Sequence, residues 1–341
     1  MAIRAVIYGV GAMGGEVAAL LLERGVPVVG AIARSPQKVG RDLGEVIGLD
    51  RDTGVIVSDD ADAVLRDSGA NIAVLTTNSY LADHAPFIER CVRAGLNVIT
   101  IAEEALHPWR TSPGEAARLD ALAREHGVSI FGGGHEDAFW IGLGAQLAGA
   151  AHRVDAIRWE STWNPEAAGP ELMASLGIGD PGSGESATVT WREDDPRPPF
   201  GLPALDALAE HLGLPDAPRT VTSEQIVAER PVPSSALGRD IAIGEIIGVR
   251  DTIRREPVAA GEPLLEFTVT GRLNPEQHAS GETWEIEGVP SMRMRTEFSK
   301  GHYQVTAQVA NRLEDVVAAE PGWVRHSEMP AIGYPAPVTG R

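Results

Sequence analysis

A glycine pattern near the start of the chain constrains its fold more than any other feature of the sequence. Residues 3–8 form a short apolar run rich in β-branched side chains, and Gly9-x-Gly11-x-x-Gly14 follows directly and opens an Ala- and Leu-rich stretch. A buried strand that leads through such a turn into a helix is typical of the βαβ units that bind dinucleotides. The sequence therefore predicts that a Rossmann-type fold begins here.

Each glycine has its own function in this interpretation. Gly9 would allow the tight turn, Gly11 would let a pyrophosphate approach the backbone, and Gly14 would let the helix lie close to the strand. The N–H groups at the start of the helix, those of Ala12 and Met13 among them, would face the phosphates. The alternative is a glycine-rich turn that binds no ligand.

The residues after the second predicted strand, 26–32, bear on the choice of cofactor. An acidic side chain usually binds the ribose 2′-hydroxyl of NAD at this position, whereas an arginine suits the 2′-phosphate of NADP. This chain has no acid there but offers Arg34, Ser35 and Lys38. NADP is therefore the favoured cofactor and NAD the alternative one. The competing interpretation is that Arg34 and Lys38 are solvated surface charges.

Four more apolar runs, each followed by a helical pattern or a turn, extend the predicted sheet. They cover residues 55–57, 72–76, 97–101 and 128–131, and a capping box at Ser112-Pro113-Gly114-Glu115 predicts the start of a helix. Six strands alternating with helices form a doubly wound parallel sheet, whose ligands bind beyond the carboxyl ends of the strands. Thr76 and Thr77, at the end of the fourth strand, are thus candidate cofactor contacts.

The periodicity of the sequence changes after the sixth strand, which indicates a second domain. We expect a dinucleotide-binding domain over residues 1–137 and an α+β substrate and dimerisation domain, with a mainly antiparallel sheet, over residues 138–302. The tail, residues 303–341, is expected to pack back on the first domain. Residues 177–201 are dense in Gly, Pro, Ser and Asp and predict an exposed loop or lid.

Composition and charge exclude several classes of function. A length of 341 residues suits two domains, and 43% hydrophobic with 23% charged residues is ordinary globular usage. The net charge of −19 argues against binding to nucleic acid or to an anionic membrane. The single cysteine, Cys91, cannot form an internal disulfide, and no residues have metal-ligand spacing. Without a membrane span or room for a signal peptide, a soluble cytoplasmic protein is expected.

Two adjacent acids, Glu103 and Glu104, follow the fifth predicted strand. At the carboxyl end of such a strand they would lie where a nicotinamide ring meets its substrate. A partly desolvated glutamate there would have a raised pKa and could exchange protons with an amine or a carbinolamine. The alternative is that both acids cap the turn that follows.

Three segments of the cofactor domain resemble one known family. They are residues 6–14, residues 39–49 and residues 98–104, and the similarity returns at residues 309–313 and 329–330. The chain resembles the native amine dehydrogenases, which are related to 2,4-diaminopentanoate dehydrogenases and share a dihydrodipicolinate-reductase-like cofactor domain. The similarity is dense through residue 131 and looser afterwards.

The resemblance implies reversible, nicotinamide-dependent reductive amination of a ketone or aldehyde with ammonia, without a metal. It also implies that a glutamate after the fifth strand is the catalytic acid and base. This position corresponds to the Glu103-Glu104 pair, in which Glu104 is preferred and Glu103 stays open. A homodimer whose C-terminal sheet shapes the substrate pocket is a further implication.

The chain departs from the family after the sixth strand. Where the family usually has Gly-x-Gly-x-Asn-Pro-Gly-Phe, this sequence has Gly132-Gly133-Gly134 followed by His135-Glu136-Asp137-Ala138-Phe139. The three ionisable residues would form a polar pocket for a charged or hydroxylated substrate, or they would cap the helix that follows. Trp140 and Trp163 are further candidates for the substrate pocket, with core packing as the alternative.

Two rival functions remain beside amine dehydrogenation. The first is an NADP-dependent carbonyl or hydroxy-compound reductase on the same scaffold, with His135 or Glu104 as the proton donor. The second is a non-catalytic NADP-binding sensor, which the fold alone permits. The two acids at the expected hydride-transfer position argue against a sensor.

Overall fold

A computed structural model describes residues 2–168, 173–174, 176–190, 198–273, 280–298 and 303–334. The chain divides into two compact units. One combines Met1–Gly142 with His302–Arg341, and the other is Leu143–Gly301. The first unit is therefore built from two separate segments of the chain, and its first segment extends five residues beyond the predicted limit at residue 137.

The first segment forms the doubly wound parallel sheet that the sequence predicts. Its strands are β1 Ala5–Tyr8, β2 Val28–Ile32, β3 Val57–Ser58, β4 Ile72–Leu75, β5 Asn97–Thr100 and β6 Ser129–Gly132. They lie in the order β3-β2-β1-β4-β5-β6, and all of their pairings are parallel. The order reverses between β1 and β4, which is the point where open α/β sheets bind their ligands.

Helices connect these strands. They are α1 Ala12–Glu23, α2 Leu43–Val46, α3 Ala61–Asp67, α4 Leu81–Arg93, α5 Pro108–Thr111 and α6 Pro113–His126, with a 3₁₀ helix over Glu103–Leu106. α6 ends at Gly127, whose φ of 67° suits a residue without a Cβ. The predicted capping box at Ser112 is wrong, because the Ser112 hydroxyl does not cap α6 and instead donates to Glu104.

The register of the sheet brings four strand ends together. Tyr8 pairs with Leu75, Leu75 with Thr100, and Thr100 with Gly132. β1, β4 and β6 are buried along their whole length, because runs of apolar side chains are covered on both faces of such a sheet. The segments that follow these four strands therefore start from neighbouring points on one edge.

The second unit contains the mainly antiparallel sheet that the sequence predicts, with seven strands among the described residues. Its helices are α7 Leu143–Gly149 and α8 Leu202–His211, and its strands are β7 Arg153–Trp163, β8 Ser186–Thr190, β9 Arg219–Val227, β10 Val232–Ser234, β11 Arg239–Ile241, β12 Ile246–Arg255, β13 Leu264–Arg272, β14 Ser280–Val289 and β15 Met292–Phe298. The order is β15-β14-β7-β13-β12-β9-β8, in which only β7 and β13 are parallel, and β10 pairs with β11 separately. Its core centres on Trp159, Phe267 and Trp284, whose ring centroids lie 5.0 to 6.1 Å apart.

The chain then returns to the first unit. α9, Tyr303–Ala318, carries an apolar stripe of Val309, Leu313 and Val316 that belongs to one buried cluster with Ile7 and Val17. β16, Gly322–Trp323, pairs in parallel with β6 and becomes the seventh strand of the first sheet. A 3₁₀ helix over His326–Glu328 follows.

The loop predicted over residues 177–201 is wrong in part. β8 lies within it and pairs antiparallel with β9, because its Ser-Ala-Thr-Val-Thr sequence has residues that favour an extended backbone. Residues 191–197 of that prediction lie outside the described residues. Within the described part of the chain, no helix has both the length and the apolar character needed to cross a membrane.

Candidate active site

Contacts within the protein explain why two of the three positions in the glycine-rich turn, Gly9 and Gly14, are glycine. Gly9 has a φ of +108°, and a Cβ at Gly14 would lie 2.1 Å from the Gly9 carbonyl oxygen. Thr76 stabilises the turn by donating its hydroxyl to that same oxygen over 2.6 Å. The backbone geometry and the close helix–strand packing therefore require glycine at both positions.

Gly11 has a different environment, which fits a bound dinucleotide. A Cβ there would meet no atom of the described residues within 4 Å, so protein packing does not require glycine at this position. Gly11 is the N-cap of α1, and no side chain of the described residues caps it. The first N–H groups of a helix have no intrahelical partner, Ala12 is exposed and Met13 is half-buried. This open backbone suits the approach of a phosphate.

The cations expected after β2 differ in their surroundings. The Arg34 side chain is exposed, and Ser35 is half-buried. Lys38 donates its Nζ to the Val10 carbonyl oxygen over 2.5 Å, so its ammonium group lies at the glycine-rich turn. The interpretation of Lys38 as a solvated surface charge is therefore wrong, whereas the Arg34 side chain is exposed to solvent.

Glu104 is held in a structural position. The carboxyl group is almost fully buried, its Oε2 accepts the backbone N–H of Leu81 over 2.6 Å, and its Oε1 accepts the Ser112 hydroxyl over 2.6 Å. Because Leu81 is the first residue of α4, the Glu104 carboxylate caps that helix from a distant part of the chain. Both oxygens of Glu104, the residue that the sequence favours as the catalytic acid, therefore have partners within the protein.

Glu103, the other acid after β5, has the properties expected of a proton-transfer group. Its side chain is partly exposed, but its Oε2 is buried and has no hydrogen-bond partner among the described residues. Burial raises the pKa of Glu103 well above its usual value, and the negative charge of Glu136 raises it further. A carboxyl group in this state holds a proton more tightly than a solvated one.

The segment after β6 brings together several of the residues predicted for the substrate pocket. The His135 ring stacks on Phe139 with centroids 4.9 Å apart, and it meets Trp140 edge-on at 5.9 Å. Phe139 and Trp140 lie on a π-helix over Asp137–Gly142, a rare conformation that is frequent at functional sites. Glu136 is half-buried.

Two other residues of the predicted polar segment and pocket have different surroundings. Asp137 is the first residue of the π-helix, and its buried carboxylate forms a bidentate pair with Arg312 over 2.6 and 2.9 Å. His326 lies 3.3 Å from the same carboxylate. Trp163 lies in the second unit at the end of β7, where the absence of a side chain at Gly271 makes room for its ring.

Burial alone would raise the pKa of Asp137, but the hydrogen bonds from Arg312 and His326 hold it below the usual value. The sequence alone does not predict this pair. The available signal was Arg312 itself, a charged residue beside the apolar stripe of α9, since a buried cation needs an acidic partner.

The sequence also does not predict the hydrogen bonds of one buried histidine, His84. His84, in the first turn of α4, is fully buried between the Thr77 and Thr100 hydroxyls at distances of 3.0 and 2.7 Å. Among the described residues, no group of three or more His, Cys, Asp or Glu side chains is arranged to bind a metal ion.

No family model matches the chain, but individual proteins do. The structure of an amine dehydrogenase from Mycobacterium smegmatis is 40% identical, has a TM-score of 0.88, and is matched over 98% of both chains. A 2,4-diaminopentanoate dehydrogenase from Acetoanaerobium sticklandii is 26% identical over 94% of this chain and 91% of its own. An amine dehydrogenase from Streptomyces virginiae is 25% identical over 97% of this chain and 98% of its own.

Proposed function

Because this chain belongs to the family of amine dehydrogenases, which are oxidoreductases acting on amines, we propose that it catalyses reversible reductive amination of a ketone or aldehyde with ammonia. The observation that carries the proposal is the half-buried Glu103 side chain beyond β5, with its buried Oε2 and raised pKa, in a chain so similar to an amine dehydrogenase. In the reverse direction, the same groups would deaminate an amine.

Glu103 supplies the proton transfers in this proposal. As a carboxylate it would accept a proton from ammonium, so that ammonia can attack the carbonyl carbon. The protonated carboxyl group would then donate to the hydroxyl that leaves the carbinolamine as water. The raised pKa of Glu103 suits this function, because it stabilises the protonated carboxyl group that the first step produces and the second step uses.

The side chains after β6 would surround the organic part of the substrate. His135, Phe139 and Trp140 form an aromatic group on that segment, and Glu136 adds a negative charge near Glu103. We therefore propose these four residues as the substrate pocket, and the assignment of Trp163 to that pocket stays a prediction. A nicotinamide cofactor would supply or accept the hydride when bound.

The residues of the glycine-rich turn would hold that cofactor. Gly11, Ala12 and Met13 would bind the pyrophosphate through their backbone, as the open space at Gly11 supports. Gly9 and Gly14 would shape the turn, and Thr76 and Thr77 would lie beside it. We propose NADP as the preferred cofactor, with the exposed Arg34 as the partner of the 2′-phosphate and with Ser35 and Lys38 near it.

The test of the activity is oxidation of NADPH with a panel of ketones and aldehydes, each measured with and without ammonium. We expect turnover only when ammonium is present, together with formation of the corresponding primary amine. A rate of NADPH oxidation that does not depend on ammonium would favour the carbonyl reductase instead. Cofactor binding without any turnover would favour the sensor. The homodimer and the cytoplasmic location stay predictions.

The cofactor preference has its own test. Arg34→Asp should lower the ratio of kcat/KM with NADPH to kcat/KM with NADH by about 10- to 100-fold, because one charge-assisted hydrogen bond to the 2′-phosphate is lost. Arg66→Asp is the matched control, since Arg66 is also exposed but pairs with Asp67 on α3. An unchanged ratio in Arg34→Asp would contradict the assignment of Arg34.

A further inference from the structure

His84 joins the carboxyl ends of two neighbouring strands. Its Nδ1 lies 3.0 Å from Oγ1 of Thr77, which follows β4, and its Nε2 lies 2.7 Å from Oγ1 of Thr100, the last residue of β5. The imidazole is fully buried, and the first turn of α4 that carries it is fixed by the bond from the Leu81 N–H to Glu104. The ring therefore has no freedom to leave the two hydroxyls.

The two ring nitrogens must have opposite hydrogen-bonding functions. Burial lowers the pKa of His84 to about 4, so the ring is neutral at ordinary pH. A neutral imidazole has one donor and one acceptor, so it donates to one threonine and accepts from the other. The Thr100 oxygen also accepts the Ala102 N–H over 3.1 Å. In either tautomer, the Thr77 hydroxyl is held as a donor to His84 or as an acceptor from it.

Thr77 is also held on its other side. Its Cγ2 methyl lies against Gly9, where a Cβ would approach that methyl to 2.8 Å. The methyl contact and the hydrogen bond together select one rotamer of Thr77. The oxygen of Thr77 thus has a fixed position beside the glycine-rich turn.

We propose that His84 is a positioning residue for the cofactor: it orients the Thr77 hydroxyl toward the nicotinamide dinucleotide bound at the glycine-rich turn. This inference rests on the proposed function, because it needs the cofactor. His84 does not touch the cofactor in this arrangement and acts only through Thr77. A histidine that served only to fill the core would affect folding without a specific dependence on Thr77.

The test compares side chains that keep different parts of the imidazole. Asn places a polar atom near the position of Nδ1 and can bond Thr77, whereas Gln places one near Nε2 and can bond Thr100. We expect His84→Ala and His84→Gln to raise the Kd for NADPH about tenfold, which is the loss of one oriented hydrogen bond. His84→Asn should recover most of that affinity, although all three variants lower the Tm.

A double-mutant cycle completes the test. Thr77→Val keeps the methyl contact with Gly9 but removes the hydroxyl, so His84→Gln should raise the Kd no further in that background. Equal Kd values for the Asn and Gln variants, or effects that multiply in the cycle, would overturn the inference. If His84→Gln does not fold, Thr100→Val takes its place, because it removes the Nε2 partner that holds the His84 ring in position against Thr77. Wild-type protein that binds neither NADPH nor NADH would instead overturn the proposed function.

Discussion

Glu103→Gln is expected to lower kcat for ammonium-dependent NADPH oxidation by about 10²- to 10⁴-fold, the usual contribution of a general acid and base. The amide keeps the size of the side chain but can neither accept a proton from ammonium nor return one to the leaving hydroxyl. The affinity for NADPH should stay within about threefold, because the cofactor contacts lie on the glycine-rich turn.

Glu104→Gln is the matched comparison, since it makes the same chemical change at the neighbouring position. It should lower the Tm through weaker bonds to Leu81 and Ser112, while kcat falls much less than in Glu103→Gln. Steady-state kinetics and thermal unfolding of both variants show which glutamate is catalytic and which is structural. A large loss of kcat in Glu104→Gln, with a near-normal Glu103→Gln, would restore the preference for Glu104 that the sequence suggests.

Asp137→Asn is expected to lower the free energy of unfolding by about 3–5 kcal/mol, because it leaves the Arg312 guanidinium buried without its charged partner. The double variant Asp137→Asn with Arg312→Met should be more stable than the single one, since it removes the unpaired charge. Arg124→Met is the control: it breaks the more exposed pair with Asp120 and should cost about 1 kcal/mol or less.

Urea unfolding at pH 7 measures these differences, and its pH dependence provides a second check. The pKa of Asp137 is lowered in the folded protein, so its contribution is present above the ordinary value of 3.8. It is lost as the pH falls through the lowered value, and the wild type and Asp137→Asn should then converge. A loss below about 1 kcal/mol at pH 7 would contradict a stabilising buried pair.

The sequence predicts the first sheet well because local signals determine it. Short apolar runs mark β1 to β6, and the glycines at positions 9 and 14 have the geometric reasons that were expected of them. The position of Glu103 and Glu104 beyond β5 follows from the same pattern. The sequence does not predict β8, because its short Thr- and Val-containing run lies among Gly- and Pro-rich residues and its partner β9 is distant in the chain.

The sequence does not predict how the two adjacent glutamates differ, because residues distant in the chain determine the hydrogen bonds and the pKa of each carboxyl group. Glu104 accepts hydrogen bonds from Leu81 and Ser112, whereas burial and the negative charge of Glu136 raise the pKa of Glu103. Asp137 and Arg312 are 175 residues apart, so only the completed fold shows that they pair. The same is true of His84, whose two threonines come from different strands.

The interrupted first unit has a consequence for how this protein is made. Residues 143–301 separate its two segments, and at roughly 5–20 residues per second a ribosome needs roughly ten to thirty seconds to synthesise them. During that interval β6 has no β16 beside it, and Asp137 has neither Arg312 nor His326. The unit that starts first is therefore completed last. Until α9 emerges, the apolar side chains of the first segment that Val309, Leu313 and Val316 cover lack that cover.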